Sequence, residues 1–287
     1  MSWRKVLSDN LLLSASQSWI GSRFSSQLEL TSSLVKSNLI KSPQISEIFS
    51  KLDRSAFTDD ENPYENKPKG ILCGEVMTSP STHALTLEIL LPNILSSNKI
   101  LDIGCGNGYL SQCIALLNPN SKVIAIDIHK ELVEKAIFLS KLPNLMFRKC
   151  EAHEIIDENF DLINVGFTAT ENLYKFLVEK LGDDGTILCP VNKGIGNHWI
   201  LHKKGGEHEN LGEVGFSEIR NEENLEEDLG KVEENIKQIY AETERKIGRR
   251  PNVGDLPADL QPFLKERRVL IAKLKKAGKY EEKPKTI

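Results

Sequence analysis

The segment with the clearest chemical potential is a glycine-rich turn at residues 101–108, which reads Leu-Asp-Ile-Gly-Cys-Gly-Asn-Gly. Glycines at every second position from 104 to 108 let the backbone turn tightly and approach a ligand with no Cβ in the way. The apolar residues before the turn predict a strand, and those after it predict a helix whose first N–H groups have no partner within the helix. The pattern predicts a nucleotide-like ligand at the start of that helix.

Two common nucleotide-binding patterns do not fit this turn. A dinucleotide site requires G-x-G-x-x-G, but Tyr109 stands where the third glycine counted from Gly104 would be. A P-loop requires Gly-Lys followed by serine or threonine, and the chain contains no such sequence. The turn instead closely resembles the D-x-G-x-G-x-G loop of methyltransferases that bind S-adenosylmethionine. That resemblance implies S-adenosylmethionine as the cofactor and S-adenosylhomocysteine as its product.

Acidic residues are found beside the turn and after the neighbouring strands. Asp127 ends the second predicted strand, where a carboxylate can accept hydrogen bonds from both ribose hydroxyls. Glu151 follows the third strand, and the methyltransferase resemblance implies that it lies near the adenine amino group, although an isolated acid there is equally well explained as a solvated surface residue. Asp102 is expected to orient the turn and the methionine ammonium group.

Strands and helices alternate around these residues. Predicted strands cover residues 99–103, 122–127, 145–149, 160–165 and 185–190, and predicted helices cover residues 109–117, 130–141 and 172–181. This alternation predicts βαβ units and a parallel sheet, and continuous apolar strands such as 123–126 indicate burial on both faces. The predicted fold is therefore α/β: a doubly wound Rossmann-like methyltransferase sheet with helices on both faces, plus a C-terminal helical hairpin.

Three regions are predicted along the chain. Residues 1–32 form an N-terminal extension, residues 33–220 the S-adenosylmethionine-dependent methyltransferase domain, and residues 221–287 a charged helical hairpin with a disordered end. The extension is rich in serine and in basic residues, which mildly resembles a mitochondrial transit peptide, but a helical or floppy extension is the preferred interpretation. Between residues 33 and 57, two short helices are expected, the second opening at Pro43.

Composition excludes several functional classes. The formal net charge of −4 argues against bulk nucleic-acid binding, and no apolar run approaches the roughly 20 residues that span a bilayer. The five cysteines show no CxxC pairing, which indicates reduced core thiols rather than a metal site or a redox pair. We therefore expect a cytoplasmic, monomeric protein with no metal, nucleic-acid or membrane partner.

Segments outside the turn resemble one methyltransferase family. They are Leu-Asp-Arg-Ser-Ala-Phe at 52–57, Asn-Pro-Tyr at 62–64, Thr-Ser-Pro-Ser-Thr-His-Ala at 78–84, Asp-Leu-Ile-Asn-Val-Gly at 161–166 and Cys-Pro-Val at 189–191. Together they are similar to the protein-L-isoaspartate O-methyltransferases across roughly residues 33–220. The resemblance implies methyl transfer to the free α-carboxylate of L-isoaspartyl, and also D-aspartyl, residues in damaged proteins and peptides, the first step of their repair.

The resemblance also implies which residues form the site. Thr78 matches the family's active-site serine and is the expected catalytic residue, with His83 in a supporting role. The expected cofactor contacts are Glu75, Val76, Met77, Thr78, His83, Asp102, Ile103, Gly104, Cys105, Gly106, Asp127, Glu151 and Ala152. A final strand at residues 214–219 is expected to cover the cofactor and the peptide. Since an α-carboxylate with a pKa of about 3.5 is already ionised at neutral pH, catalysis requires positioning rather than a general base.

Several residues depart from the family pattern. Thr78 keeps the serine hydroxyl but adds a methyl group that restricts χ1, and Phe167 enlarges a position usually held by alanine. Glu75 places an acid near an anionic substrate, which it should repel unless it is paired or directed outward. Glu151-Ala152 replaces Asp-Gly, and residues 215–219 replace a Tyr-Val-Pro-Leu type of run. Two other hypotheses therefore stay open: a methyltransferase with another acceptor, and a catalytically weak or inactive adaptor that binds a protein partner through the hairpin.

Overall fold

The computed structural model describes residues 22–157, 159–193, 197–206, 208–216 and 225–247, together with residues 249, 267 and 271. The chain divides into two compact units, residues 1–218 and residues 219–287. None of the helices in the described ranges is both long and apolar enough to cross a membrane. Expectations for residues 1–21, and for the second half of the hairpin apart from residues 267 and 271, lie outside the described residues.

A seven-stranded sheet organises the first unit. Its strands are β3 (Lys99–Ile103), β4 (Lys122–Asp127), β5 (Leu145–Lys149), β6 (Phe160–Val165), β7 (Leu181–Asn192), β8 (Asn197–Lys203) and β9 (His208–Glu213), in the order β5-β4-β3-β6-β7-β8-β9. The strands from β5 to β7 are parallel, whereas β8 and β9 are antiparallel. A separate antiparallel pair joins β1 (Lys69–Gly70) to β2 (Val76–Met77).

The order of the strands places a crevice beside β3. The chain leaves β3 towards β4 and β5 in one direction, and returns to form β6 and β7 on the other side. In parallel sheets of this kind, a ligand binds beyond the carboxyl ends of the strands at the point where the order reverses. The glycine turn at residues 104–108 follows β3 directly and therefore lies at this switch point.

Helices cover both faces of the sheet. They are α1 (Gln27–Lys36), α2 (Pro43–Lys51), α3 (Pro80–Ser96), α4 (Tyr109–Leu117), α5 (Lys130–Leu139) and α6 (Glu171–Glu179), with 3-10 helices at Arg54–Phe57, Leu72–Gly74 and Ala152–Glu154. Alternate residues of β3 enter different core clusters: Ile100 packs with residues of α1 to α4, whereas Leu101 and Ile103 pack with residues of α6. The doubly wound fold is thereby confirmed.

Two element boundaries differ from the sequence-based expectation. Helix α1 begins at Gln27, with Ser26 accepting the N-terminal hydrogen bond from Glu29 N, so it crosses the expected domain boundary at residues 32 and 33. The expected strand at 214–219 is wrong for residues 214–216, which lie outside any strand, while residues 217–219 are not described. Within β9, Gly212 N donates to Asn210 Oδ1 and Gly212 has a φ of +112°, where the register against β8 shifts; the strand ends at Glu213.

The second unit contains helix α7 (Leu225–Ile247), which agrees with the first helix expected for the hairpin. Arg267 reaches this helix with two nitrogens. Its Nε lies 3.0 Å and its Nη2 2.9 Å from Glu233 Oε1. This pairing joins positions 34 residues apart in sequence.

Candidate functional site

The glycine turn adopts a backbone that favours glycine. Gly104, Gly106 and Gly108 have φ values of +73°, +55° and +86°, in the left-handed region that other residues adopt at a cost. A Cβ at Gly104 would lie 2.7 Å from the Phe167 ring, and one at Gly108 would lie 2.7 Å from the Phe147 ring. The turn therefore needs glycine for its conformation and, at these two positions, for space.

Backbone hydrogen bonds hold the turn against the next strand. The N–H groups of Gly104 and Cys105 both donate to the carbonyl oxygen of Ile126, at 2.9 and 3.0 Å. Nearby, Asp127 is only 8% exposed and accepts from Gly106 N and His129 N, each at 2.9 Å. Burial is the largest influence on Asp127 and raises its pKa. Its carboxylate keeps lone pairs for further donors, but it does not line the pocket described next, so its expected contact with the ribose stays a prediction.

A pocket opens where β2, β3 and β6 end and where α3 and α4 begin. Eight of the expected site residues line it: Val76, Met77, Thr78, His83, Asp102, Gly104, Cys105 and Gly106. It is completed by Ile71, Thr86, Asn107, Tyr109, Leu110, Asn164, Val165, Gly166 and Phe216, which the sequence did not single out as site residues. Phe216 follows β9, so this segment contributes to the pocket without forming the expected strand.

Asp102 is the acidic group that lines this pocket. Its side chain is 1% exposed and accepts hydrogen bonds from Ser111 Oγ at 2.5 Å and Asn164 Nδ2 at 2.7 Å. Burial raises the pKa of Asp102 to about 6, so the group is ionised at neutral pH. An ionised carboxylate offers about four acceptor positions, and the two recorded hydrogen bonds leave capacity for a cationic ligand.

Thr78 is held between two fixed elements. It follows β2, and its carbonyl oxygen accepts a hydrogen bond of 2.6 Å from Arg54 Nη2. The next residue, Ser79, caps α3 by accepting from Thr82 N, and Pro80 occupies the first turn of that helix. The half-buried Thr78 side chain therefore sits at the pocket on a backbone that is anchored on both sides.

His83 is a buried, neutral part of the pocket wall. Its ring is 5% exposed and stacks on Tyr109, with ring centroids 5.2 Å apart and planes 24° apart. Burial and, secondarily, the charge of Arg54 hold the pKa of His83 well below its usual range. Arg54 Nη1 lies 3.3 Å from His83 Nδ1, and since arginine can only donate, Nδ1 accepts and Nε2 carries the proton.

Glu75 is paired, which meets the condition set by the sequence. Its Oε1 lies 3.3 Å from His129 Nε2, and the two side chains are 24% and 22% exposed. The carboxylate therefore lies against the start of α5, and Glu75 is not among the residues lining the pocket. An adjacent imidazole reduces the repulsion that an isolated acid would exert on an anionic substrate.

Besides Glu75 and Asp127, three more of the expected contacts do not line the pocket: Ile103, Glu151 and Ala152. The Glu151 side chain caps the 3-10 helix Ala152–Glu154 and lies 3.4 Å from His153 Nδ1. Ala152 and Ile103 are buried together in the core cluster that contains α6 residues. The expected contact of Glu151 with the adenine, and those of Ile103 and Ala152 with the cofactor, stay predictions.

Sequence reasoning missed three residues that shape the site, each with a signal of its own. Arg54 lies in the quoted segment 52–57 and is fully buried behind the pocket. Asn107 belongs to the glycine turn, and its side-chain amide donates to the carbonyl of Phe57. Asn164 is a buried polar residue between apolar neighbours in strand β6, a position that normally requires a buried partner, here Asp102.

The lining chemistry fits the expected sulfonium nucleoside. Among the described lining residues there is no lysine or arginine, the histidine is neutral and the carboxylate is ionised, so a cation is favoured over a phosphate. The positive φ angles of the glycines let the turn approach such a ligand closely. Asp102 would face the ammonium group, and the glycine turn would lie against the nucleoside. The described residues contain no cluster of three or more His, Cys, Asp or Glu side chains suited to a metal ion.

Comparison with known proteins gives a consistent result. The family model described as protein-L-isoaspartate(D-aspartate) O-methyltransferase matches residues 25–216. A probable protein-L-isoaspartate O-methyltransferase of Dictyostelium discoideum is 28% identical over 221 residues, 69% of this chain and 69% of that protein. The protein-L-isoaspartate O-methyltransferase of Caenorhabditis elegans is 26% identical over 195 residues, 62% of this chain and 83% of that protein.

Solved structures share the fold. A Plasmodium falciparum protein of the same description, crystallised with S-adenosyl-L-homocysteine, superposes with a TM-score of 0.63. It is 23% identical, and the match covers 69% of this chain and 99% of that one. A further structure described as a protein-L-isoaspartate O-methyltransferase gives a TM-score of 0.58 at 20% identity, over 72% of this chain and 70% of that one. At these identities, the likeness establishes the fold.

Proposed function

The chain belongs to the protein-L-isoaspartate(D-aspartate) O-methyltransferase family, and on that premise we propose that it methylates damaged proteins. The acceptor is the free α-carboxylate of L-isoaspartyl residues, with D-aspartyl residues as a second acceptor. The donor is S-adenosylmethionine, and the by-product is S-adenosylhomocysteine. The methyl ester formed on an isoaspartyl residue closes to a succinimide, which reopens in part to normal aspartate, so methylation initiates repair.

The observation that carries the proposal is the pairing of an anionic and a hydroxyl-bearing group in one pocket. Asp102 provides a buried negative charge at the end of β3, and Thr78 provides a hydroxyl at the start of α3. When bound, S-adenosylmethionine supplies an electrophilic methyl group on a positively charged sulfur. Asp102 suits the cationic donor, and a neutral hydrogen-bond donor such as Thr78 suits the carboxylate acceptor.

The protein's own residues need only bind and orient the reactants. No residue has to remove a proton, because the acceptor carboxylate is ionised well below neutral pH. Thr78 Oγ1 holds the acceptor oxygen, and the anchoring of its backbone by Arg54 and by the Ser79 cap limits its motion. Fixing two reactants in this way can contribute several kcal/mol to the lowering of the barrier, about 7–11 kcal/mol in the best intramolecular cases.

The sequence departures are compatible with activity. Thr78 retains the hydroxyl on which the role depends, and Glu75 has His129 as a partner. The Phe167 ring packs over Gly104 rather than lining the pocket. The remaining site assignments, namely Asp127 to the ribose, Glu151 to the adenine and Ala152 to the cofactor, belong to the same proposal.

The proposal extends to the setting of the enzyme. We place the activity in the cytoplasm, in a monomer whose residues 33–220 perform the chemistry. Residues 1–32 are assigned to an extension and residues 221–287 to a hairpin that is available to a protein partner. The chemistry calls for no nucleic acid and no membrane.

The decisive experiment uses a matched pair of peptides. The purified full-length protein is incubated with S-adenosylmethionine labelled on its methyl group, and with one peptide that contains either L-isoaspartate or L-aspartate at the same position. We expect label only on the isoaspartyl peptide, and we expect base to release it, as it does from methyl esters. Label that survives base would indicate another acceptor atom. No labelling by a protein that binds S-adenosylhomocysteine would favour the adaptor hypothesis.

A further inference from the structure

Arg54 is a fully buried cation whose contacts converge on the pocket wall. It belongs to the 3-10 helix Arg54–Phe57 and is 0% exposed. Its Nη2 donates to the carbonyl oxygen of Thr78 at 2.6 Å, and its Nη1 donates to His83 Nδ1 at 3.3 Å. The guanidinium carbon lies 5.7 Å from the centroid of the Tyr109 ring. All three partners line the pocket, so the charge lies immediately behind its wall.

The charge of Arg54 has no carboxylate partner among the described residues. Its guanidinium contacts the backbone carbonyl oxygens of Met77 and Thr78, a neutral imidazole and an aromatic ring, and its Nε has no hydrogen-bond partner in the part of the chain that is described. Burial lowers the pKa of Arg54 to about 10, which still leaves the group charged at neutral pH. A buried cation without a counter-ion is costly, and such groups are ordinarily paired.

The same chain neutralises another buried cation in the ordinary way. Lys69 is 4% exposed, and its Nζ lies 2.8 Å from Glu65 Oε2 and 3.1 Å from Asp60 Oδ1. Arg54 differs from Lys69 in that an open pocket lies on the far side of its partners. A fixed positive charge in a water-poor interior attracts a negative group more strongly than it would in water. Asp102 places a negative charge in the same pocket, but its hydrogen bonds go to Ser111 and Asn164 rather than to Arg54. The anion missing around Arg54 is thus expected beside Thr78 and His83.

We infer that Arg54 is a positioning residue that makes the pocket select an ionised carboxylate acceptor over a neutral one. Its planar guanidinium group fixes the positions of Thr78 and His83, and its uncompensated charge attracts the acceptor carboxylate. The inference rests on the proposed function, because it concerns the acceptor of that same reaction. It adds the reason why a carboxylate, rather than a neutral amide or hydroxyl, is accepted beside Thr78.

The test compares two ligands that differ only in charge. One is the isoaspartyl peptide, and the other is the same peptide with its α-carboxylate replaced by a carboxamide, which cannot be methylated and is measured as a competitive inhibitor. In the wild-type protein we expect the carboxylate to bind at least about tenfold more tightly than the carboxamide. In Arg54→Gln the preference should shrink to about threefold or less, while the affinity for S-adenosylhomocysteine stays within about threefold.

Two further variants separate charge from shape and from stability. Arg54→Lys keeps the charge but loses the planar fork, so it should keep the carboxylate preference while kcat falls about tenfold. Leu177→Ala removes a fully buried side chain of α6, in the core cluster of the other face. It should lower the urea concentration at the midpoint of unfolding without changing the preference.

The outcomes decide between a positioning and a purely structural role. A folded Arg54→Gln variant that keeps the wild-type preference overturns the inference, and so does a wild-type protein that binds both peptides equally. If Arg54→Gln does not fold, Arg54→Lys decides: a retained preference with lowered kcat supports the inference, and an unchanged kcat or a lost preference overturns it. If the wild-type protein methylates no isoaspartyl peptide at all, the proposed function fails and the inference about its acceptor fails with it.

Discussion

Replacing Gly104 by alanine tests how closely the glycine turn is fitted to its surroundings. Gly104 has a φ of +73°, and a Cβ there would lie 2.7 Å from Phe167 Cδ1, a separation that Cβ atoms essentially never show. Gly205, in the turn between β8 and β9, has a nearly equal φ of +76° and nothing within 4 Å of the same virtual atom. The two substitutions therefore impose the same backbone strain, and only one of them creates a clash.

The expected losses of stability follow from the backbone strain and from the steric clash. A left-handed conformation costs a non-glycine residue about 1–2 kcal/mol, and we expect Gly205→Ala to lose about that much stability. Overpacking adds about 1–3 kcal/mol, so Gly104→Ala should lose about 2–5 kcal/mol. Because Gly104 also lines the pocket, its distortion should weaken binding of S-adenosylhomocysteine by at least about tenfold, or 1.4 kcal/mol.

Urea unfolding and calorimetric titration measure the two quantities. Adding Phe167→Ala to Gly104→Ala should remove the clash. The double variant should therefore lose less free energy of unfolding than the two single variants lose together, by most of the overpacking cost. Gly205→Ala should bind S-adenosylhomocysteine with unchanged affinity. Equal losses of stability and equal affinities in Gly104→Ala and Gly205→Ala would refute the reasoning.

Three further predictions concern charges and hydrogen bonds at the pocket. Thr78→Val keeps the side-chain shape but removes the hydroxyl, so it should lose a charge-assisted hydrogen bond worth about 1.5–3 kcal/mol and lower kcat about 10- to 150-fold. Thr78→Ser keeps the hydroxyl, and its kcat should stay within about threefold of the wild-type value. The rate of methylation of the isoaspartyl peptide measures both effects. Burial raises the pKa of Asp102 to about 6, so its carboxylate takes up a proton and loses its charge as the pH falls through 6. S-adenosylmethionine affinity, measured by titration from pH 8 to 5, should fall over that range, and Asp102→Asn should bind more weakly at pH 8 with little dependence on pH. His129→Gln should raise the KM for the isoaspartyl peptide about threefold or more, because it removes the imidazole contact that holds the Glu75 carboxylate against the start of α5. The double variant with Glu75→Gln should restore the wild-type KM, and a KM that stays raised would contradict this explanation.

The central part of the fold could be predicted from the sequence because its signals are local. A buried parallel strand is a continuous apolar run, as at β4, and Pro43 marks the start of α2 at the first helical position. Boundaries that depend on tertiary contacts were harder to predict from the sequence. Helix α1 begins after the Ser26 cap, and what makes its first turn part of the folded domain is the buried Gln27 amide, which donates to the carbonyl oxygen of Phe49 in α2, 22 residues away in sequence.

The site, like the fold, could be predicted where its signals are local in sequence and not where they depend on tertiary contacts. The glycine turn and the segment after Thr78 could be recognised because their residues are contiguous, and the structure brings both to one pocket. Arg54 could not be assigned a role, because its partners are a carbonyl group and a side chain that are 24 and 29 residues away. The pairing of Glu75 with His129 also depends on where β2 and α5 meet, which residue types alone do not specify.

The most direct test of the account is a calorimetric titration of the purified, folded protein with S-adenosylhomocysteine. The pocket around the glycine turn and Asp102 predicts a single site of about micromolar affinity, corresponding to about −8 kcal/mol, and Gly104→Ala should weaken it at least about tenfold. A folded wild-type protein that binds neither this nucleoside nor S-adenosylmethionine would contradict the account.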